Sequence, residues 1–497
     1  MLSARRNLYA LIAFVAVLAL SAAHAQFTVV QISVDKLTNS DSDHKTEVEP
    51  DTFAWGSTIV SAYHVARRPG TIGWGSAAIG FSTSRDGGKT GTYGYLPDLT
   101  VNYKGGSYYG AADPSVAYDA KHGVWLISSL ALINPIGDVV VSRSTDGIHW
   151  SKPVPVDVTH NDDKNWTVCD NTPTSPYYGN CYTEWDYATS TGDIAMSTST
   201  DGGATWGPAK LTADHAGGLG GQPLVQPNGN VIVPFSISYA AIGAFTSSNG
   251  GSSWSASTVV ASVDDHSEGG GLRSLPLPSA EIDGAGNVYV VWHDCRFRSG
   301  CAENDIVMST SADGKTWTSP ARIPIDPTNS TVDHFIPGIG VNSATSGKTA
   351  QMTIVYYFYP VSNCNASTCQ LEVGFTTSQD GGQTWTQGVE LAGPMSLSWL
   401  PVSDLGPMVA DYISVSYTNG NPFGVFAAAK APSGGELREA MYTTRQPLLA
   451  AENAPRFSSK GELPVPNAKS DHPLRACYDD ECRFPTPEWK LPSRDQH

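Results

Sequence analysis

The chain has 497 residues, and 30 basic against 47 acidic side chains give it a formal net charge of −17. That balance lacks the basic footprint a nucleic-acid partner requires, and it speaks mainly to solubility. With 49 Gly, 33 Pro and 15% charged residues the composition suits an all-β protein rich in tight turns, and helical periodicity is close to absent.

The first residues read as an address. Arg5 and Arg6 precede an apolar run from Leu8 to Leu20, and Ala23-His-Ala25 follows just before Gln26. A charged start, a short apolar stretch and a small-residue cleavage site predict a secretory signal peptide over 1–25, cut near Ala25. The run is short for a membrane anchor, and no later stretch is long and apolar enough to span a bilayer. The mature chain is therefore expected to be extracellular or periplasmic, without membrane insertion, and monomeric.

After the signal, Phe27–Val34 is a clean strand, expected to pair with the last repeat. Seven similar segments follow, each with an inner strand, a turn, a second strand, a loop and a third strand. The inner strands are expected to begin near Glu49-Pro50, Asp113-Pro114, Tyr182–Glu184, Gln222-Pro223, Pro278–Glu281, Ile336-Pro337 and Asp411-Tyr412. Asp119–Gly123, Pro227–Gly229, Asp283–Gly286 and Asn419-Gly420 supply inner turns. Second strands such as Val288–Trp292 and Met352–Tyr357 are continuous β-branched and aromatic runs, the pattern of strands buried on both faces. From Pro447 to His497 Pro, Ser and charge dominate, predicting a tail that is loosely ordered or wrapped over the rest.

Eight cysteines fall into neighbouring pairs, Cys169 with Cys181, Cys295 with Cys301, Cys364 with Cys369 and Cys477 with Cys482. Local disulfides in an oxidising compartment are the expectation, since no His or Cys cluster at zinc-ligand spacing accompanies them.

A short unit recurs at the end of the third strands. Ser197–Trp206 reads STSTDGGATW, Thr376–Trp385 reads TTSQDGGQTW and Ser309–Trp317 reads STSADGKTW. With weaker copies at Ser82–Thr90, Ser142–Trp150 and Thr246–Trp254, the acidic or amide position falls at Asp86, Asp146, Asp201, Asn249, Asp313 and Asp380, at intervals of 60, 55, 48, 64 and 67 residues. Asp then Gly is strong turn chemistry, because the carboxylate accepts nearby backbone N–H groups and Gly supplies a positive φ at no steric cost. The Trp that follows covers the turn with an apolar face. A period of this size predicts a repeat architecture.

This unit, Ser-x-Asp-x-Gly-x-Thr-Trp, resembles the Asp-box (BNR) repeat of sialidase-like β-propellers. The resemblance implies an all-β propeller over 26–446 whose ring the N-terminal strand closes. Seven inner hairpins favour seven blades, with the six of the sialidase fold as the alternative. The repeated acids are read as turn fasteners on the outer edge. A propeller gathers the starts of its inner strands around one mouth of a channel. That rim collects Glu49, Asp113, Glu184, Gln222, Glu281, His334 and Asp411, with Arg273, Arg296 and Tyr412 nearby.

Sialidases use an Asp acid/base, a Tyr nucleophile activated by a Glu, and three Arg that clamp a carboxylate. By that resemblance Asp113 is the acid/base, Glu281 the activating base, Tyr412 the nucleophile, and Arg273 and Arg296 two clamp members. The first sialidase Arg has no counterpart, since Glu47–Phe53 contains no Arg-Ile-Pro. Arg67 and Arg68 are read as a loop, and Arg298 and Arg322 as a loop and an outer strand. The expected partner is a glycan or polysaccharide, with acidic sugars among the candidates, and the expected activity glycoside hydrolysis. The alternatives are a binding-only propeller using Tyr108, Tyr109, Tyr177, Tyr178 and Trp399 as sugar platforms, and a polysaccharide lyase built on His293 and Arg296. No cofactor is required for hydrolysis; Ca²⁺ is compatible with Asp-rich loops such as Asn161–Asp163.

Overall fold

The computed structural model describes residues 27–465 apart from 70–74, 134–136, 190 and 452. The predicted signal peptide and the Cys477–Cys482 pair lie outside the described residues. Among those residues no helix is long and apolar enough to cross a membrane, and helical structure is confined to single 3₁₀ turns.

The chain forms seven four-stranded antiparallel units in sequence order. In the first, Asp51–Trp55, Thr58–Arg67, Ser76–Ser84 and Thr92–Tyr95 pair consecutively. The second runs from Gly110–Asp119 through Val124–Leu132 and Gly137–Ser144 into the early part of Val154–Cys169. The later part of that long strand opens the third unit, pairing with Cys181–Tyr187, which leads to Ile194–Ser199 and Lys210–Leu211. This corrects the expectation that Tyr182–Glu184 begins an inner strand: it belongs to the second strand, and the bulged segment around Lys164 takes the inner position.

Leu224–Val225, Ser279–Ile282, Asp333–Val341 and Ser414–Thr418 open the remaining four. In the seventh unit the outer strand is Val29–Gln31, which pairs with Glu439–Thr444, as expected for the N-terminal strand. First strands of successive units lie side by side, and that of the seventh lies against that of the first. There Ser414 Oγ donates to Thr52 O (3.3 Å) and Thr418 Oγ1 to Gly56 O (2.7 Å).

The packing follows from strands that are apolar on both faces. Val231, Ile232 and Val233 are all fully buried, yet Val231 and Val233 join Tyr182, Ile194 and Met196 of the third unit while Ile232 joins Val288, Val290 and Trp292 of the fifth. The alternation repeats at Met352–Tyr359, where Ile354 and Tyr356 face the fifth unit and Val355 and Tyr357 the seventh. Each such side chain contributes about 1.5–3 kcal/mol of burial. No unit can bury its own two faces, so each depends on both neighbours.

The Asp-Gly turns share a pattern in which the preceding Ser hydroxyl and following backbone N–H groups bond to the Asp or Asn side chain. Asp380 Oδ1 accepts from Ser378 Oγ (2.9 Å) and Thr384 N (2.9 Å), and Oδ2 accepts from Thr384 Oγ1 (2.6 Å). Trp385, 1% exposed, donates its indole N–H to Gly382 O (3.1 Å). Asn249 reproduces this with its amide, accepting from Ser247 Oγ (3.0 Å) and Ser253 N (3.0 Å). Neighbouring units grip these turns: Arg143 Nε donates to Gly202 O (2.7 Å) and Gln226 Nε2 to Ala312 O (2.8 Å). Gly202 and Gly203 take φ of +70° and +73°, which only glycine adopts cheaply in succession.

Disulfides join Cys169–Cys181, Cys295–Cys301 and Cys364–Cys369. Beyond Pro447 the chain stays attached: Leu448 is fully buried and Arg456–Phe457 pairs with Trp385–Thr386. Replacing Asp380 by Ala removes three hydrogen bonds from a turn far from any candidate catalytic group. Denaturant titration should show a loss of roughly 1–3 kcal/mol in unfolding free energy with no change in ligand binding.

Candidate active site

Four inner strands carry strained backbone near their starts, one of them at Ile336 (φ +47°) in Asp333–Val341 and the other three at the hub. Glu49, Asp113 and Lys164 adopt φ of +55°, +45° and +38°, a left-handed conformation that costs a non-glycine residue about 1–3 kcal/mol each. At Asp113-Pro114 the ladder slips between Ala112 and Ser115, so the bulge turns Asp113 out of the pleat. His64, on Thr58–Arg67, fixes this corner. Its Nε2 accepts the backbone N–H of Asp113 at 2.8 Å and lies 2.8 Å from Glu49 Oε2.

That geometry dictates protonation. A lone pair at Nε2 puts the ring proton on Nδ1, and burial depresses the imidazole to about 3, so His64 stays neutral. Burial, then the neighbouring Asp411 charge, pushes Glu49 up to about 7. Glu49 therefore approaches Nε2 carrying its own proton. Burial and Glu49 together raise Asp113 to about 6. Burial would raise Asp411 as well, but the Arg273 guanidinium outweighs it and holds Asp411 at about 2. Arg273 forks onto that carboxylate, Nε to Oδ1 at 2.7 Å and Nη2 to Oδ2.

Two further cations sit in the same hub. Lys164 is 6% exposed, with Nζ 3.4 Å from the Tyr412 ring centroid and 5.2 Å from Trp166. Arg67, also 6% exposed, ends its strand among Arg273, Glu49, Asp411 and Asp113, and burial, then the like charge of Arg273, lowers its pKa. Lys164 Nζ and Arg67 Nε are buried without a hydrogen-bond partner. Asp163 faces the cluster too, raised to about 7 by burial and Asp113.

The hub thus brings together Glu49, Asp113, Arg273, Asp411 and Tyr412. Tyr412 is 4% exposed, donates to Pro114 O at 3.2 Å, and is held well above the ordinary phenol range by burial and by Glu49. That is the opposite of an activated nucleophile.

Other expected members stand elsewhere. Glu281 answers electrostatically to Asp51 and not to Asp113. Arg296 is locked on Asp294, Nε to Oδ1 at 2.8 Å and Nη2 to Oδ2 at 2.6 Å, and on Ser262 O. His334 packs against Tyr356 and Phe358. Gln222 Oε1 accepts Ala280 N (2.8 Å) as a strut between units. Glu184 is the exception: fully buried on a second strand, it faces the charge of Lys164 and so borders the hub, with no hydrogen-bond partner on either side-chain oxygen.

Of the lyase pair, His293 is fully buried and receives Ile336 N on Nδ1 at 3.4 Å, while Arg296 is committed as described. The expected sugar platforms are likewise engaged. Tyr108 donates to Asp138 (3.0 Å), Tyr109 lies under Arg68 (4.0 Å), Tyr177 walls Gly250, and Trp399 packs on the core.

His64 and Lys164 escaped the sequence reading, which placed Arg67 and Asp163 in loops away from the rim. Arg67 and Arg68 are not in a loop: Arg67 closes a strand, and Arg68, fully buried, donates to Ser76 O and Tyr109 O at 2.8 Å each. Asn161–Asp163 is not a loop either but lies inside Val154–Cys169.

Among the described residues three trios of side chains lie close enough to share a cation: Glu49, His64 and Asp113; Asp265, Glu268 and His293; Asp305, Asp326 and His334. In the first, the Asp113 N–H already occupies His64 Nε2. In the second, Ile336 N–H on Nδ1 leaves the ring proton on Nε2, facing Asp265 at 3.3 Å. In the third, Arg298 and Arg322 supply the positive charge, each 2.6–2.9 Å from Asp305 or Asp326. Their donor sets do not fit a metal as they stand.

Glu281 gives a clean pH test, because burial raises it from 4.5 to about 8. Between those values the native state binds the extra proton, so Glu281 costs stability progressively as pH rises through that window. The thermal midpoint of the wild type should fall from pH 5 to pH 8, and Glu281→Gln should make that fall shallower; identical slopes would show that Glu281, half-buried at Ser279–Ile282, holds no extra proton in the native state.

No family model matches the chain, and no curated protein matches it. Solved structures do. The Streptococcus pneumoniae NanB sialidase is 16% identical over 84% of this chain and 71% of that chain, with a TM-score of 0.45. A leech intramolecular trans-sialidase is 15% identical over 83% and 70%, TM-score 0.42. An ulvan lyase, described as a new polysaccharide lyase family, is 11% identical over 84% and 96%, TM-score 0.48. At these values the likeness carries no argument about activity, which rests on the hub's own residues.

Proposed function

We propose that this chain is a secreted glycoside hydrolase whose active site is the hub of a closed seven-bladed propeller, acting on an extracellular glycan that contains acidic sugars. The ring is supported by the adjacency of all seven first strands and by the N-terminal strand completing the seventh sheet. The chemistry is supported by one arrangement: Asp113, raised to about 6, has Glu49 and His64 atoms within 4.8 Å and faces the partnerless buried nitrogens of Arg67 and Lys164.

An acid near pKa 6 donates a proton to a leaving oxygen efficiently at mildly acidic pH. Asp113, 9% exposed, is the open member of the pair, and Glu49, 1% exposed, lies behind it. So deep a Glu49, set against His64 Nε2, shapes the titration of Asp113 through their coupling instead of touching sugar. Arg67, Lys164 and the outer side of Arg273 would meet a sugar carboxylate, since buried cations without partners recover their lost hydration from an anionic ligand.

The two carboxyls titrate as a coupled pair. Activity should fall as pH rises through about 6, because Asp113 must hold its proton, and Glu49→Gln should move that falling limb to lower pH. Asp113→Asn should cut kcat/KM by about 10²–10⁴. Arg67→Ala should raise KM for sialylated or uronate-containing glycans while sparing neutral ones. Wild-type turnover by Asp113→Asn across a glycan panel would remove the reading.

A further inference from the structure

We infer a second carbohydrate-binding site on the outer edge of the first unit, shaped for a strand of acidic polysaccharide. It shares with the proposed reaction the premise of an acidic glycan, but it is a separate surface with its own test. A cavity of about 580 Å³ lies between residues 36–39, the strand Thr92–Tyr95 and Asn102-Tyr103.

Its walls are tyrosines held in fixed orientations. The Tyr95 hydroxyl accepts Lys36 N (2.7 Å) and donates to Val34 O (2.6 Å), and its ring meets Tyr103 edge-on at 5.2 Å. Tyr93 stands 39% exposed at the rim. Pre-set aromatic faces offer a sugar's C–H surface a large contact at little conformational cost.

Charge selects the kind of sugar. Lys36 Nζ lies 5.0 Å from the Tyr93 ring and Lys104 Nζ 5.3 Å from the Tyr103 ring. Neither has an ion-pair partner among the described residues, although the chain carries a net charge of −17. Two unpaired ammonium groups beside exposed tyrosines fit carboxylates or sulfates spaced along a polymer. A polar acceptor completes the groove: Asn102, which donates Nδ2 to Ala77 O (3.1 Å), keeps its side-chain oxygen for a sugar hydroxyl. A bound strand here would raise the local concentration of substrate at the hub.

The test is affinity electrophoresis of the full chain, carried in the Asp113→Asn background so that the gel polymer is not cleaved. The gels contain polygalacturonate, hyaluronan or chondroitin sulfate, with neutral dextran as the control. Retardation is expected in at least one acidic polymer and not in dextran. Tyr93→Ala and Lys36→Ala should each weaken it about three- to fivefold, and both changes made in the otherwise wild-type chain should leave kcat/KM on a short soluble substrate unchanged. Equal mobility in every gel, or retardation that neither substitution alters, overturns the site. If Tyr93→Ala does not fold, Lys36→Ala alone decides. An inactive Asp113→Asn with normal retardation supports both sites, whereas a fully active one removes the hub reading and leaves the groove standing.

Discussion

Each four-stranded sheet in this protein is apolar on both faces, and burial of both faces is the constraint from which the rest follows. Val231 and Ile232 are neighbours in the chain and go to different cores, and the same division runs along Met352–Tyr359. A sheet of this kind needs another sheet on each side, and a row of them leaves two bare faces unless its ends meet. The contact of Ser414–Thr418 with Asp51–Trp55, and the pairing of Val29–Gln31 with Glu439–Thr444, bring the ends together. Closure of the proposed ring is thus a solvation requirement before it is a functional one.

Stacking sheets this way has a second effect, which is to crowd the starts of the first strands into one place. Polar groups there are sheltered by neighbours on every side, so electrostatics at the hub is governed by burial. Glu49, Asp113 and Asp163 rise to about 7, 6 and 7, while Asp411 alone is driven down, by the fork of Arg273. Similar carboxyls separated in this way suit different tasks: Asp411 stays ionised against Arg273, and Asp113 is the proton donor of the proposed reaction. The strained backbone at Glu49, Asp113 and Lys164 fits the same picture, since such strain persists only where surrounding packing over-determines it.

The outer Asp-Gly turns and the hub divide the acids of this chain into two populations. At the turns, hydrogen bonds from backbone and hydroxyl groups stabilise the ionised form: Thr384 and Ser378 saturate Asp380, whose pKa they lower despite partial burial. At the hub, burial without enough donors does the reverse. Asp113 and Asp380 therefore shift in opposite directions although both are Asp residues next to turns, because one is buried with few donors and the other is saturated by them.

Local chemistry was legible in the sequence wherever the responsible residues are neighbours in the chain. The turn unit of Ser, Asp, Gly and Trp, the three described disulfides, the inner hairpin turns and the doubly buried second strands all rest on contacts within about a dozen residues. Asp113, Asp411, Arg273 and Glu49 were also within reach, because each stands at or beside an x-Pro or strand start that the repeat pattern places at the hub. What the tertiary structure alone decided was orientation. One bulge moved the inner position of the third unit from Tyr182–Glu184 to Lys164, and that shift exchanged a carboxylate for an ammonium at the hub. Whether Arg67 or Arg296 meets the other cations, and whether Tyr412 is free or bonded to Pro114, depends on which face of a strand each occupies after seven sheets have packed. A one-residue slip reverses that face, and no local pattern records it.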